Sequence, residues 1–249
     1  MTRRRPFSLL PDLTARSADP ELMDDLHSDP VKLNRTLKQF AVMNAFLTRS
    51  RSLTAKVLIP HIAARGNRPV KLVDLGGGGG DYARWVTGYG KRKGLDITCV
   101  SMDSDPRVVA FARHACRKSP GVIVARGTEK DLRTTHGPVN YVFANHLLHH
   151  LDDTALVETL RAVYDSTTDG FLLNDLRRSA LSYLGYTVFA GLFFRRSFAF
   201  YDGRLSIRKG FTPRELRDAV GRIGGRHPIH VATAFPGRVY VWCLKTARS

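Results

Sequence analysis

Three groups of residues in this sequence have types and spacings that can do chemistry. The first is Asp74 followed by the run Gly76-Gly77-Gly78-Gly79-Gly80, with a second carboxylate, Asp103, 23 residues beyond the run. Glycines lack a Cβ, so the main chain can bend into dihedrals closed to other residues and a ligand can lie directly against it. A carboxylate at the end of the next strand can accept from both hydroxyls of a ribose, so the spacing points to a nucleoside ligand. The second group is His146, His149 and His150, imidazoles able to take up a proton near neutral pH. The third is Asn174, Asp175, Arg177 and Arg178, polar residues closing an apolar run.

A glycine-rich loop admits three kinds of ligand. No Lys-Ser or Lys-Thr pair closes this one, which disfavours a P-loop and nucleoside triphosphates. A pyrophosphate approaching a helix N-terminus is poorly served by an acid in front of the glycines, where Asp74 stands. An acidic strand end suits a cation. S-adenosyl-L-methionine presents an ammonium and a sulfonium, which a carboxylate stabilises directly or through water.

These groups need elements to position them. VKLVDLG (70–76) is a β-rich run ending in the glycines, and a helix is predicted from Asp81 to Arg92. Further strands are predicted at 97–103, 122–127, 141–145 and 171–176, with helices at 106–118 and 153–164. Strands alternating with helices predict βαβ units and a mostly parallel, doubly wound α/β sheet covered on both faces. Residues 20–64 carry helix-like apolar spacing, with Asp29-Pro30 as cap and first-turn pair, and residues 179–200 look helical and apolar on most sides. Thr212-Pro213-Arg214-Glu215 is a capping box opening a helix to about Ile223. IHVATAF and RVYVWCL flank Pro236-Gly237 and predict an antiparallel hairpin at the sheet edge. The expected architecture is a Rossmann-like seven-stranded sheet over residues 65–249, with an N-terminal helical lid segment at 1–64 and a capping insert at about 177–210.

A chain of 249 residues, 43% apolar and 24% charged, can bury one sizeable core, and this excludes disordered, collagen-like and small disulfide-stapled classes. The three cysteines, Cys99, Cys116 and Cys243, form no C-x-x-C pair, so a reducing compartment, the cytoplasm, is expected. The apolar stretch 180–194 has 15 residues, short of the roughly 20 that span a bilayer. Net charge is +17, and residues 177–249, with 14 basic against three acidic residues, carry most of it. Such a field favours anionic partners; its plain alternative is a solvated arginine-rich surface.

Through D-x-G-x-G-x-G at Asp74, Gly76, Gly78 and Gly80, the acid Asp103, and the stretches GTEKDL (127–132), NYVFANHLLHHLDD (140–153) and FLLNDLRRS (171–179), the sequence resembles the class I S-adenosylmethionine-dependent methyltransferases over residues 70–176. The resemblance implies S-adenosyl-L-methionine as cofactor, its methionine part against Gly76–Gly80, its ribose on Asp103 and its adenine bordered by Thr128 and Glu129. Asn145 and His146 would close the methionyl side. Two positions depart from the pattern: Thr128 replaces the usual acid of G-D-A, and Asn140 the aspartate that opens the fourth strand. More narrowly, PELMDDLHSDP (20–30), MNAFLTRSRS (43–52) and GRLSIRKGFTPREL (203–216) look like a bacterial secondary-metabolite subgroup associated with type III polyketide pathways. That likeness implies methyl transfer to a small aromatic or polyketide-like acceptor, O-methylation of a phenol or enol above all, beneath a lid of N-terminal helices and the insert.

Such a displacement needs the acceptor in line behind the methyl at about 3 Å, and a phenol or enol also needs a base. His149 or His150 is the expected base. Capping or packing of the next helix is the competing role, and a three-His metal site lacks a supporting carboxylate pattern, so no metal is expected. Asn174, Arg177, Tyr183, Tyr186 and Arg208 are expected at the acceptor, while Asp175 with an arginine can instead form a structural ion pair. The aromatic segment Leu181–Phe200 serves as substrate lid, as core or as a homodimer interface. Arg195 and Arg196 beside it also permit a weak membrane-surface contact.

Three rival readings use the same residues. An RNA or DNA methyltransferase would employ Arg3, Arg4, Arg5 and the basic final third, but no amino-methylation motif or cytosine-C5 nucleophile is present, and a nucleic-acid partner is not expected. A non-catalytic S-adenosylmethionine-binding protein would be signalled by loss of the glycine loop or the ribose acid, and both are intact. A quinone or lipid-precursor C-methyltransferase at the membrane surface would share every cofactor residue.

Overall fold

A computed structural model of the chain describes residues 11–66, 68–133 and 138–245; Arg3, Arg4 and Arg5 lie outside the described residues. The helical layer starts at residue 30, not 20. α1 spans Pro30–Phe46, and the Asp29 carboxylate caps it by accepting from the Val31 and Lys32 N–H groups. α2 (Ser50–Ala63) follows, and residues 11–29 cross the molecule without regular structure. Then come β1 (Val70–Leu75), α3 (Asp81–Arg92), β2 (Ile97–Asp103), α4 (Pro106–Cys116), β3 (Val122–Arg126), β4 (Val139–Asn145), α5 (Asp153–Ser166) and β5 (Thr167–Leu176). The expected alternation of strands and helices is present. β5 starts four residues before its apolar run because α5 passes into it without a loop.

The apolar stretch after β5 is two helices, α6 (Ala180–Phe193) and α7 (Ala199–Lys209), rather than one. The break falls at Arg195-Arg196, where Arg196 takes φ +56, and α7 runs on to Lys209. In α8 (Pro213–Gly221) the capping box forms as expected: Thr212 accepts from the Glu215 N–H, and Glu215 accepts from the Thr212 N–H. β6 (His230–Ala234) and β7 (Arg238–Leu244) form the antiparallel hairpin.

The seven strands make one sheet in the order β3-β2-β1-β4-β5-β7-β6, parallel except for β7 and β6. Side-chain alternation divides the core. Val73, Val100, Val142, Phe171 and Leu173 face α5 and α8, whereas Leu72, Cys99, Tyr141, Phe143 and Leu172 face α2 and α3. Strand order reverses between β1 and β4, so their carboxyl ends splay into a crevice, the place where open α/β sheets take ligands. No helix among the described residues is long and apolar enough to cross a membrane.

Candidate functional site

The crevice is a cavity of about 630 Å³. Its floor consists of Asp74, Gly76 to Gly79 and Asp103, and its roof of Met23, Phe40, Met43 and Tyr186, from the 11–29 segment, α1 and α6. Gly78 has φ +53, and a Cβ there would meet nothing within 4 Å, so the bare backbone leaves room on the cavity side. Asp103 is held at the end of β2 by two backbone donors: Oδ2 accepts from Gly78 N–H at 3.0 Å and Oδ1 from Asp105 N–H at 3.1 Å. Burial nevertheless pushes its carboxyl above the ordinary value, which shows that these bonds do not fully satisfy the charge. Thr128 and Glu129 also line the cavity. Where the resembled pattern has an acid, Thr128 caps a 3₁₀ turn at Glu129–Asp131, and the acid stands three residues later as Asp131, accepting from Thr128 N–H at 2.8 Å. Asn140, the other departure, sits at the start of β4, where Oδ1 accepts from Lys71 N–H and Nδ2 donates to Asp169.

Two carboxylates on this floor are incomplete. Asp74 is 2% exposed, and its Oδ2 and the Oδ2 of Asp81 are buried without a hydrogen-bond partner among the described residues. Both carboxyls are raised by burial: Asp74 well above the ordinary range, with Asp81 and Asp103 adding to the effect, and Asp81 to about 6. Buried acceptors without donors, near one another on a cavity wall, fit a ligand that brings an ammonium or sulfonium. Asp81 was not anticipated from the sequence, although its place just after the glycine run was a usable signal.

Above them lies a network that joins four distant parts of the chain. Asn145 donates from Nδ2 to Asn44 Oδ1 at 3.1 Å, and Asn44 donates in turn to Asp81 at 3.5 Å. Asn145 Oδ1 accepts from Asn174 and from Arg238, both at 2.9 Å. Arg238 is 2% exposed and also donates to Asn174 at 3.3 Å, with His146 Nε2 at 3.4 Å from its Nη1. Burial pushes its guanidinium down to about 10. Asn44 and Arg238 had no local signal: one lies in the last turn of α1, the other opens the second strand of the hairpin.

The three histidines part company. His146 sits at φ +62 with its N–H donating to the Asn174 carbonyl. Burial, then the Arg238 charge, lowers its basicity well below the ordinary value, which makes it a poor base. His149 is 2% exposed on the cavity wall, with Nδ1 at 2.6 Å from Asp175 Oδ1 and Nε2 at 3.7 Å from Glu21. Burial works against charge on Asp175, but the field and hydrogen bond of His149 hold its carboxyl far below the ordinary range. An ionised Asp175 can only accept, so Nδ1–H donates to it and the ring is held with Nε2 turned away from Asp175, toward Glu21. His150 is exposed at the cavity mouth, 3.4 Å from Asp24. Asp175 thus pairs with a histidine rather than with an arginine, and Arg178 pairs with Glu215 instead.

Ligating atoms of Glu21, His149 and His150, and of His146, His149 and Asp175, lie within 4.8 Å of one another. Carboxylates absent from the local sequence pattern are therefore present in space. Glu21 is already met by Ser206 at 2.9 Å and by the Lys209 ammonium at 3.6 Å, a neighbour that repels a cation.

Several expected site residues do not reach the cavity. Gly80 caps α3 and packs on Cys116, where a Cβ would fall 2.5 Å from the sulfur. Asn174 is buried behind the wall and acts through Asn145. Arg177 is exposed, its N–H tied to the Gly237 carbonyl. Tyr183 is buried, its hydroxyl accepting from Arg204. Arg208 reaches Asp19 at 3.4 Å. Tyr186 does line the roof, anchored by its hydroxyl on the Ala199 carbonyl at 2.5 Å.

Residues 72–170 match the family model described as a methyltransferase domain. No curated protein matches the chain by sequence. Among solved structures, the plantazolicin methyltransferase BamL, in complex with a triazolic desmethyl analogue and SAH, is 12% identical, with a TM-score of 0.64 over 87% of this chain and 97% of that one. Human N-acetylserotonin methyltransferase with SAM is 15% identical, with a TM-score of 0.62 over 91% of this chain and 59% of that one. A SAM-dependent methyltransferase from Aquifex aeolicus is 16% identical, with a TM-score of 0.57 over 87% of this chain and 98% of that one. The shared fold is the Rossmann-like methyltransferase sheet, and the domain match together with these neighbours supports a class I S-adenosylmethionine-dependent methyltransferase.

Proposed function

We propose that the protein transfers a methyl group from S-adenosyl-L-methionine to a phenolic or enolic oxygen of a small aromatic or polyketide-like acceptor. The observation that carries this reading is His149: its Nδ1 is fixed 2.6 Å from a buried carboxylate, and it lies on the wall of the cavity whose floor is the glycine loop and the acids Asp74 and Asp103. The solved neighbours include a plantazolicin methyltransferase crystallised with a triazolic desmethyl analogue and an N-acetylserotonin methyltransferase, which supports a small acceptor. Glu21, Met43, Asn44 and Ser206, from the three stretches that look like the secondary-metabolite subgroup, line this cavity and support that narrower assignment.

When bound, the cofactor supplies a methyl group activated by its sulfonium. Asp103 accepts from the ribose hydroxyls, and the free oxygens of Asp74 and Asp81 stabilise the positive charge of the methionyl part. His149 takes the acceptor's hydroxyl proton on Nε2, while Asp175 holds the ring and stabilises the imidazolium. The apolar roof excludes water from the reacting centre.

The test is incubation of the full chain with isotope-labelled cofactor and a panel of phenols, quinols and RNA, read by mass spectrometry. A labelled product one CH₂ heavier than a phenol is expected; label confined to RNA, or to carbon of a quinol, overturns the reading. His149→Ala is expected to lower kcat by about 10²- to 10⁴-fold with cofactor affinity unchanged. A variant turning over at the native rate removes His149 from the chemistry.

A further inference from the structure

The two sides of α6 are both apolar. Tyr183, Ala190 and the following Phe194 turn inward and are buried. On the other side Leu181, Leu184, Val188 and Leu192 recur at spacings of three and four and are 74, 45, 64 and 65% exposed. A solvated helix carries polar residues on that side, and α6 contains no charged residue at all. Its surroundings extend the patch. Phe193 is exposed at its end, α1 adds exposed Val42 and Phe46 where Met43 packs on Ala190 and Phe194, and the β6–β7 turn, whose Gly237 lies against Ser182, adds exposed Phe235. A contiguous apolar face of this extent on a folded chain marks a contact surface.

Charge selects the occupant. No Asp or Glu occurs from residue 30 to 73 or from 176 to 201, whereas these stretches hold nine and four basic residues. The only carboxylate of α7, Asp202, is buried and accepts from the Leu22 and Met23 N–H groups. Exposed Arg195 and Arg196 stand beside the end of α6, joined to α1 where Arg35 donates to the Arg196 carbonyl at 3.3 Å; Lys38 is exposed on α1. A second copy seated on this face about a two-fold axis would set these cations against their own images. An anionic headgroup layer neutralises them while the acyl boundary takes the leucines and phenylalanines.

We propose that the outer face of α6, with Val42, Phe46 and Phe235 and the rim of Arg195, Arg196 and Lys38, docks on an anionic lipid surface. The contact is interfacial: 14 residues of helix measure about 21 Å, short of the roughly 30 Å hydrocarbon core. The same helix carries Tyr186 on its inner side into the cavity roof, so the docked element separates lipid from acceptor site by one helix.

Flotation of the full chain with vesicles, without cofactor, tests this. Binding to equimolar phosphatidylglycerol and phosphatidylcholine is expected to be at least about tenfold tighter than to phosphatidylcholine alone, and to weaken as salt is raised. The double variant Val188→Glu, Leu192→Glu changes only exposed positions, so it is expected to keep the native melting temperature and cofactor affinity while losing vesicle binding. Absence of binding to the anionic vesicles, equal binding to both kinds, or binding that survives the double variant overturns the proposal. A dimer in sedimentation that the double variant dissociates, without vesicle binding, assigns the face to a second copy instead. Vesicle binding requires no methyl transfer, so this inference and the proposed reaction can fail independently.

Discussion

Asp81 carries two conflicting demands. Its Oδ2 is buried without a donor among the described residues, and burial raises the carboxyl to about 6, with Asn44 giving partial relief. An acid with a raised folded value loses stability as pH climbs from its ordinary value of 3.8 to about 6, and at pH 7 the whole cost is present. Asp81→Asn is therefore expected to stabilise the protein at pH 7 by up to about 3 kcal/mol, with the gain vanishing below about pH 4, as melting curves across pH would show. The same change removes a negative charge facing the cofactor's cationic end, so affinity should fall. In the native protein, calorimetric affinity should weaken as pH drops through about 6, where Asp81 takes up a proton. Asp103 is the cleaner residue, since both its oxygens are already oriented by backbone N–H groups. Asp103→Ala should cost roughly 2 kcal/mol of cofactor binding, about thirtyfold in Kd, by loss of charge-assisted bonds to the ribose. Unchanged affinity in calorimetry would remove the ribose assignment.

At the scale of elements, the join between α6 and α7 shapes the acceptor end. Gly203 of α7 lies under the ring of Tyr186, and a Cβ there would overlap the ring's hydroxyl edge. Gly203→Ala should drive that ring off the Ala199 carbonyl and change the roof without touching the floor. The expected result is a several-fold change in acceptor KM with cofactor Kd unchanged, and a shift in both would mean that roof and floor are coupled. Element boundaries were legible wherever a local rule applied. The capping box at Thr212 and Glu215, the Asp29-Pro30 start of α1, and the glycines closing β1 each depend on neighbours within four residues. The break between α6 and α7 was not legible, because Phe194-Arg195-Arg196-Ser197-Phe198 holds no glycine or proline to stop a helix. What turns the chain there is long-range: the Phe198 N–H donates to Thr36 Oγ1 and Ser197 Oγ to Gln39, both on α1.

Across the whole molecule, residues 11–29 act as a strap. Arg16 donates to the carbonyls of His149, Leu151 and Lys209, pairs with Asp153 at 3.2 Å, and stacks its guanidinium 3.8 Å above Phe211. Farther along, Glu21 meets Ser206 and Lys209, and the Met23 and Asp25 carbonyls accept from Arg107. One arginine thus ties the strap to the His149 turn and to the end of α7. Arg16→Ala should raise hydrogen exchange in residues 11–29 and in the turn at Leu148–His150, and lower kcat more than cofactor affinity. Exchange confined to the strap would show that it does not support the histidine.

The sequence alone determined the alternating α/β pattern, the glycine bend and the acids at two adjacent strand ends, because each depends on residues close in the chain whose geometry follows from local sterics and side-chain alternation. Tertiary structure decided which side chains meet. Arg238 and Asn145 are 93 residues apart, Asn145 and Asn44 are 101 apart, and Ser206 reaches Glu21 across 185. The partner of Asp175 was decided in the same way: strand ends placed side by side put His149 against it and left Arg177 in solvent. Such pairings come from the order of strands and the path of the strap, which no local pattern of residue types encodes.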